Sequence, residues 1–111
     1  MVDKIDLKEF QELIQNDSTP LVVDCYADWC QPCKYSSPLF EKMSKEFPLA
    51  KFVKVNVDEQ PQLAGAFQVR GVPSFFVLRG KNVVGSVVGA DIKKLEKLVR
   101  KEIEAPTILA Q

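Results

Sequence analysis

Leu7, Phe10, Leu13 and Ile14 recur at three- and four-residue intervals, the spacing that lines one face of a helix. Asp6 stands just before them as a helix cap, Glu9 can return the bond, and Ile5 can pack on Phe10. Asn16-Asp17-Ser18-Thr19-Pro20 then reads as a stop. The run Leu21-Val22-Val23-Asp24-Cys25-Tyr26 is short and β-branched, which predicts a buried strand. From Pro32 to Phe47, Tyr35, Leu39, Met43 and Phe47 repeat every fourth residue and predict a helix with that face inward. Pro38 inside it predicts a kink or a division into two pieces, because proline removes a donor and crowds the preceding turn. Residues Lys51 to Val57 alternate as a strand does, and Pro61 to Phe67 suit a short helix. Phe75-Phe76-Val77-Leu78 and Val83 to Val88 flank Arg79-Gly80-Lys81-Asn82, a hairpin signal. A final helix from near Asp91 places Ile92, Leu95, Leu98, Val99 and Ile103 on one face.

Strand, helix and strand in succession favour a right-handed crossover and a parallel pair, to which the hairpin adds antiparallel strands. The expected class is therefore α/β, a central mixed sheet flanked by helices. No linker or repeat interrupts the 111 residues, so a single domain over 1–111 is expected, with a tail at approximately 105–111 in which Ile108 and Leu109 can fold back.

Fifteen basic and fifteen acidic residues balance, which offers no net field to nucleic acid or anionic lipid. The chain has no histidine, which removes serine–histidine hydrolysis and histidine-ligated metal centres. Three cysteines fall short of a four-thiol metal site, so no metal is expected. The start lacks a signal-peptide pattern and no apolar run reaches membrane-spanning length, so the expected location is cytoplasmic, or an organelle if a targeting segment has been removed.

What remains is cysteine and carboxylate chemistry. Trp29-Cys30-Gln31-Pro32-Cys33-Lys34 lies between a predicted buried strand and a predicted helix. The spacing alone fits a redox pair, half of a metal knuckle or a structural bridge. The strand before, the helix after and the missing second ligand pair favour redox work. Cys30 at the helix's positive end is the expected nucleophile, and Cys33, one turn inward, the resolving thiol. Pro32 suits the first turn, where its missing donor costs little.

Asp24 interrupts an apolar strand, where a carboxylate is costly. It is either a solvent-facing strand residue or, on the strand feeding the cysteine loop, a proton acceptor for Cys33. Lys54 is then its expected counter-charge, against the alternative of an ordinary surface lysine. Asp28 and Lys34 are expected to tune local charge. Trp29 is expected to form a partly exposed contact surface rather than a core plug, its ring nitrogen making one directional bond. Gly71-Val72-Pro73 is an ordinary turn or a cis segment that leaves the Val72 backbone free for an extended peptide, and on the residues alone cis is the rarer case. Gly89 is a connector or a point of close substrate approach. Cys25 is expected to be a small buried hydrophobe.

Taken together, Asp24, Cys25-Tyr26-Ala27-Asp28, Trp29, Cys30-Gln31-Pro32-Cys33-Lys34, Pro38, Lys54, Asn56-Val57-Asp58, Arg70-Gly71-Val72-Pro73-Ser74 and Val88-Gly89-Ala90 resemble the small single-domain thioredoxin family across nearly the whole chain. The resemblance implies the thioredoxin fold, a cis bond before Pro73, and reversible dithiol–disulfide exchange that reduces protein disulfides. It implies a substrate surface of Trp29, Gln31, Pro32, Val72, Pro73 and Gly89, and electrostatic support of Asp24 by Lys54. It implies no tightly bound cofactor beyond the reversible Cys30–Cys33 disulfide, with electrons from NADPH through a separate thioredoxin reductase. The implied partners are that reductase and disulfide-containing proteins such as peroxiredoxin, methionine sulfoxide reductase or ribonucleotide reductase, met by a monomer. The family's usual centre has glycine after the first cysteine; Gln31 stands there instead and bears on redox potential and substrate choice. An oxidase or isomerase, or a noncatalytic thioredoxin-fold binding protein, are the alternative functions.

Overall fold

The computed structural model describes residues 2–104; the expected tail at approximately 105–111, with Ile108 and Leu109, lies outside the described residues. Its elements are β1 (Asp3–Lys4), α1 (Leu7–Leu13), β2 (Leu21–Tyr26), α2 (Gln31–Glu46), β3 (Lys51–Asn56), α3 (Pro61–Ala66), β4 (Ser74–Arg79), β5 (Asn82–Val88) and α4 (Ile92–Glu104). The strands form one mixed sheet in the order β1-β3-β2-β4-β5. β1, β3 and β2 run parallel, while β4 and β5 are antiparallel to their neighbours. This is the central mixed sheet with helical layers that the chain's patterning predicts.

β2 lies between β3 and β4 and is buried on both faces, as its apolar run requires. Strand alternation divides it: Leu21, Val23 and Cys25 join the core under α1 and α3, whereas Val22 joins Phe40, Met43, Phe75, Leu95 and Val99 under α2 and α4. Asp24 belongs to the second face. Its register partners are Lys54 on β3 and Phe75 on β4.

At the start of α1 the capping box is complete. Asp6 Oδ1 accepts from the Glu9 backbone N–H at 2.9 Å, and Glu9 Oε1 accepts from the Asp6 N–H at 3.1 Å. Each such cap stabilises by about 1 kcal/mol. The hairpin also forms, with Gly80 supplying the left-handed turn residue at φ 57°.

One expectation is corrected. The buried face of α2 is Cys33, Ser36, Phe40 and Met43, while Tyr35 is 64% exposed and Leu39 only partly buried. A strict four-residue repeat drifts by about 40° per step around a helix, so Tyr35, about 80° from Met43, falls off the side of the face that Cys33, Ser36, Phe40 and Met43 hold by alternating steps of three and four. Pro38 sits exposed inside α2 and does not divide it into two elements. The strand β1 has no counterpart in the sequence reading. Both its residues are exposed and it is too short to show periodicity, yet it pairs Asp3 with Val53 and Lys4 with Lys54.

Candidate active site

The cysteine loop is made by a strand that ends and a helix that begins. β2 stops at Tyr26, Ala27–Cys30 turn through a Cys30 N–H to Ala27 carbonyl bond of 3.3 Å, and α2 starts at Gln31. Cys30 is the N-cap of α2, and Pro32 lies in the first turn, where no intrahelical donor is lost. Cys30 and Cys33 are joined in a disulfide with a Cα–Cα distance of 5.2 Å. The Cys33 backbone N–H donates to Cys30 Sγ at 3.1 Å. Exposure does not separate the two, at 3% and 4%; hydrogen bonding does, because the free amides of the helix start favour negative charge on the Cys30 sulfur. Ala27 and the two cysteines form a small apolar cluster, packed by Tyr26, Val57 and Val72.

On one side of the disulfide lies a cavity of about 160 Å³, which Asp24, Cys33, Lys34, Ser37, Tyr26 and Lys54 help to line. Asp24 is 3% exposed and its Oδ1 has no hydrogen-bond partner. Burial pushes its carboxyl up to about 7, with the charge of Lys54 pulling the other way. The solvent-facing reading of Asp24 is therefore excluded. Lys54 faces the same cavity from the register position beside Asp24, but its Nζ stands 5.8 Å from the centre of the Tyr26 ring. Asp28 and Lys34 also line the cavity.

On the other side Trp29 is 69% exposed, and its Nε1 donates to Asp58 Oδ2 at 2.8 Å. Asp58 was not a candidate from the sequence. The signal was present in Asn56, whose Oδ1 accepts from the Asp58 and Glu59 N–H groups at 2.9 and 3.1 Å and turns the chain at the end of β3. A second concavity, of about 310 Å³, runs from Trp29 over Val57, Pro61 and Ala64 to Val69, Arg70, Gly71 and Val72. Its apolar floor comes from Val57, from α3 and from the loop before β4; of these residues the sequence singles out Val72 for the substrate surface, and it reads Pro61 and Ala64 only as helix.

The Val72–Pro73 peptide bond is cis. Val72 is half-buried against the cysteine cluster and Pro73 is buried. Gly89 N–H donates to the Pro73 carbonyl at 2.8 Å, tying the end of β5 to this loop. Gly89 has φ 95°, and a Cβ there would meet nothing within 4 Å, so the backbone conformation rather than space calls for glycine. Gln31 and Pro32 are exposed beside the disulfide and line neither concavity. The fold thus gathers Asp24, Lys54 and Cys33 on one side, Trp29 and Val72 on the other, and Pro73 with Gly89 at one end. Cys25, one residue from Asp24, is fully buried on the opposite face of the sheet, and burial followed by the Asp24 charge pushes its thiol up to about 12.

The family model described as Thioredoxin matches residues 1–101. Over 105 residues the chain is 41% identical to Thioredoxin Asp f 29 of Aspergillus fumigatus, a match covering 92% of this chain and 96% of that protein. Among solved structures, oxidized mitochondrial thioredoxin 3 of Saccharomyces cerevisiae is similar with a TM-score of 0.83 at 37% identity, covering 90% of this chain and 94% of that one. A chain from a study of how yeast mitochondrial 1-Cys peroxiredoxin is resolved by glutathione and thioredoxin systems is similar with a TM-score of 0.84 at 35% identity, with the same two coverages, 90% and 94%.

Proposed function

The chain belongs to the thioredoxin family, and from that premise we propose that it reduces disulfides of other proteins, with Cys30 attacking and Cys33 resolving. It is a thiol–disulfide oxidoreductase whose Cys-X-X-Cys centre is Cys30–Cys33 and whose reaction is dithiol–disulfide exchange. The finer assignment rests chiefly on one observation: Cys30 Sγ caps α2 and receives the Cys33 N–H, while Cys33 borders the cavity of Asp24.

In the reduced protein the Cys30 thiolate attacks one sulfur of a substrate disulfide and expels the other as a thiolate. Cys33 gives its proton through water to Asp24, and its thiolate attacks Cys30 in the mixed disulfide. The Cys30–Cys33 bond closes, the second substrate thiolate leaves, and two electrons have passed to the substrate. Asp24 suits the task because a carboxyl held near pH 7 can both accept and release a proton at neutral pH. Lys54 moderates the cost of its buried charge.

Substrate lies across Trp29, Gln31 and Pro32, with the Val72 backbone pairing to an extended peptide beside Pro73 and Gly89. Support comes from the exposed Trp29, the apolar concavity leading to Val72, and the Gly89 bond to Pro73. No dinucleotide-binding fingerprint occurs in the sequence, so NADPH serves a separate thioredoxin reductase that returns Cys30–Cys33 to the dithiol. Peroxiredoxins are a target class that the similar yeast chain suggests. The similar mitochondrial thioredoxin supports an organelle as the alternative home to the cytoplasm.

Insulin reduction by the purified chain, with and without a thioredoxin reductase and NADPH, tests the proposal. Turnover dependent on both is expected. Binding of partners that survives Cys30→Ser and Cys33→Ser without any turnover would replace it by a scaffold role, and preferential oxidation or reshuffling of substrate would make it an oxidase or isomerase.

A further inference from the structure

Asp24 and Lys54 are register partners on adjacent parallel strands, so their side chains leave the same face of the sheet at strand spacing. A direct ion pair would be expected there. Among the described residues none forms: Asp24 Oδ1 has no hydrogen-bond partner, and Lys54 Nζ stands over the Tyr26 ring instead. Tyr26 lies two residues beyond Asp24 on β2 and so shares its face. A ring face attracts an ammonium within about 6 Å, and the observed 5.8 Å is inside that range. Ring and carboxylate therefore compete for one lysine.

The two outcomes differ chemically. A lysine bound to Asp24 would occupy the carboxylate oxygen and hold the group ionised. A lysine held by the ring leaves Asp24 facing a cavity of about 160 Å³, enough for several water molecules at roughly 30 Å³ each.

We propose that Tyr26 is a positioning residue, its ring drawing the Lys54 ammonium to the cavity rim and off Asp24, so that the carboxyl stays open to water and to the Cys33 side. The proposal rests on Asp24 as proton acceptor for Cys33 and names the group that keeps it exchangeable. The charged and titratable neighbours are Asp28 and Lys34 on the cavity wall, Cys33 from α2, and the Lys4–Glu59 pair, which acts on Tyr26 from the β1 side. From β4 the facing residue is the uncharged Phe75.

The test is a carbon-13 NMR titration of the Asp24 carboxyl in the oxidised full chain, for the parent, Tyr26→Phe and Tyr26→Leu, each with Lys54 present or changed to Met. Tyr26→Phe keeps the ring and should leave the midpoint in place. Tyr26→Leu should lower it by roughly one pH unit or more, as the freed lysine moves onto the carboxylate. In the Lys54→Met background the same change should no longer lower it. If Tyr26→Leu does not fold, pentafluorophenylalanine at position 26, which keeps the ring's shape and removes its negative face, should lower the midpoint relative to phenylalanine. Because Asp24 itself is read, the result is separate from whether Asp24 serves Cys33. An unchanged or raised midpoint on losing the ring, or a lowering that persists without Lys54, would overturn the proposal.

Discussion

Asp24 and Cys25 are chain neighbours on β2, both withdrawn from water, and they have opposite chemical fates. Asp24 faces the cavity that also reaches Cys33 and Lys54, and burial pushes its carboxyl up to about 7. Cys25 points to the other side of the sheet, among Val23, Val55, Leu63 and Leu78, and its thiol is pushed up to about 12. The first cause of displacement is the same in both, loss of hydration. The difference is a lysine and a cavity. A strand alternates its side chains between two faces, so one central strand can hold a sealed group beside an exchangeable one.

Removing the carboxyl should break the comparison most strongly. Asp24→Asn is expected to slow resolution of the mixed disulfide by about 100-fold at pH 7, within the usual range for a lost general base, while its formation by Cys30 changes far less. Rapid-quench trapping resolves the two steps, and equal slowing of both would remove Asp24 from the role. The same variant has a thermodynamic signature. The folded protein holds the Asp24 proton to about pH 7 whereas the unfolded chain releases it near 3.8, so between these values the folded state binds more protons. Stability therefore falls as pH rises from about 4 to about 7 and stays lowered above that. The full deficit approaches about 4 kcal/mol by the free energy of a pKa displacement of this size. Asp24→Asn should abolish the slope and stabilise the oxidised protein at pH 8, measured by urea unfolding at pH 5 and pH 8.

The sealed side should respond in the opposite sense. Cys25→Ala is expected to leave insulin turnover within about two-fold and to cost about 1 kcal/mol of stability through lost packing. In the native reduced protein, iodoacetamide should modify Cys30 and spare Cys25, read by mass spectrometry of the digested chain. Rapid native labelling at Cys25 would show that its face is not sealed.

Away from this strand the effect is smaller. Trp29→Phe retains the ring but loses the bond to Asp58, which at roughly 0.5–1.5 kcal/mol predicts a rise of a few-fold in KM with kcat nearly unchanged. A fall in kcat alone would place Trp29 in the chemistry rather than in docking.

What could be read in the sequence follows from how locally each feature is determined. Asp6 and Glu9 announce the start of α1 because a capping box closes within one turn. Asp24 announces itself by misfit, a carboxylate in an apolar run, and its burial bears out that part of the reading. Tyr35 misleads because a four-residue repeat resembles a helix face without remaining on one. β1 and the Trp29–Asp58 bond depend on partners far along the chain, Val53 and Lys54 for the strand and a residue 29 positions away for the indole, which no local pattern encodes. The same is true of Tyr26 over Lys54, since the contact exists only once β2 and β3 are in register.

The division of labour among the three thiols is the central claim, and a single covalent experiment addresses it most directly. The reduced Cys33→Ser variant, mixed with a reducible disulfide protein and analysed by mass spectrometry under nonreducing conditions, should accumulate a mixed disulfide on Cys30 with Cys25 left as a free thiol. An adduct on Cys25, or none on any cysteine while the variant remains folded, would contradict it.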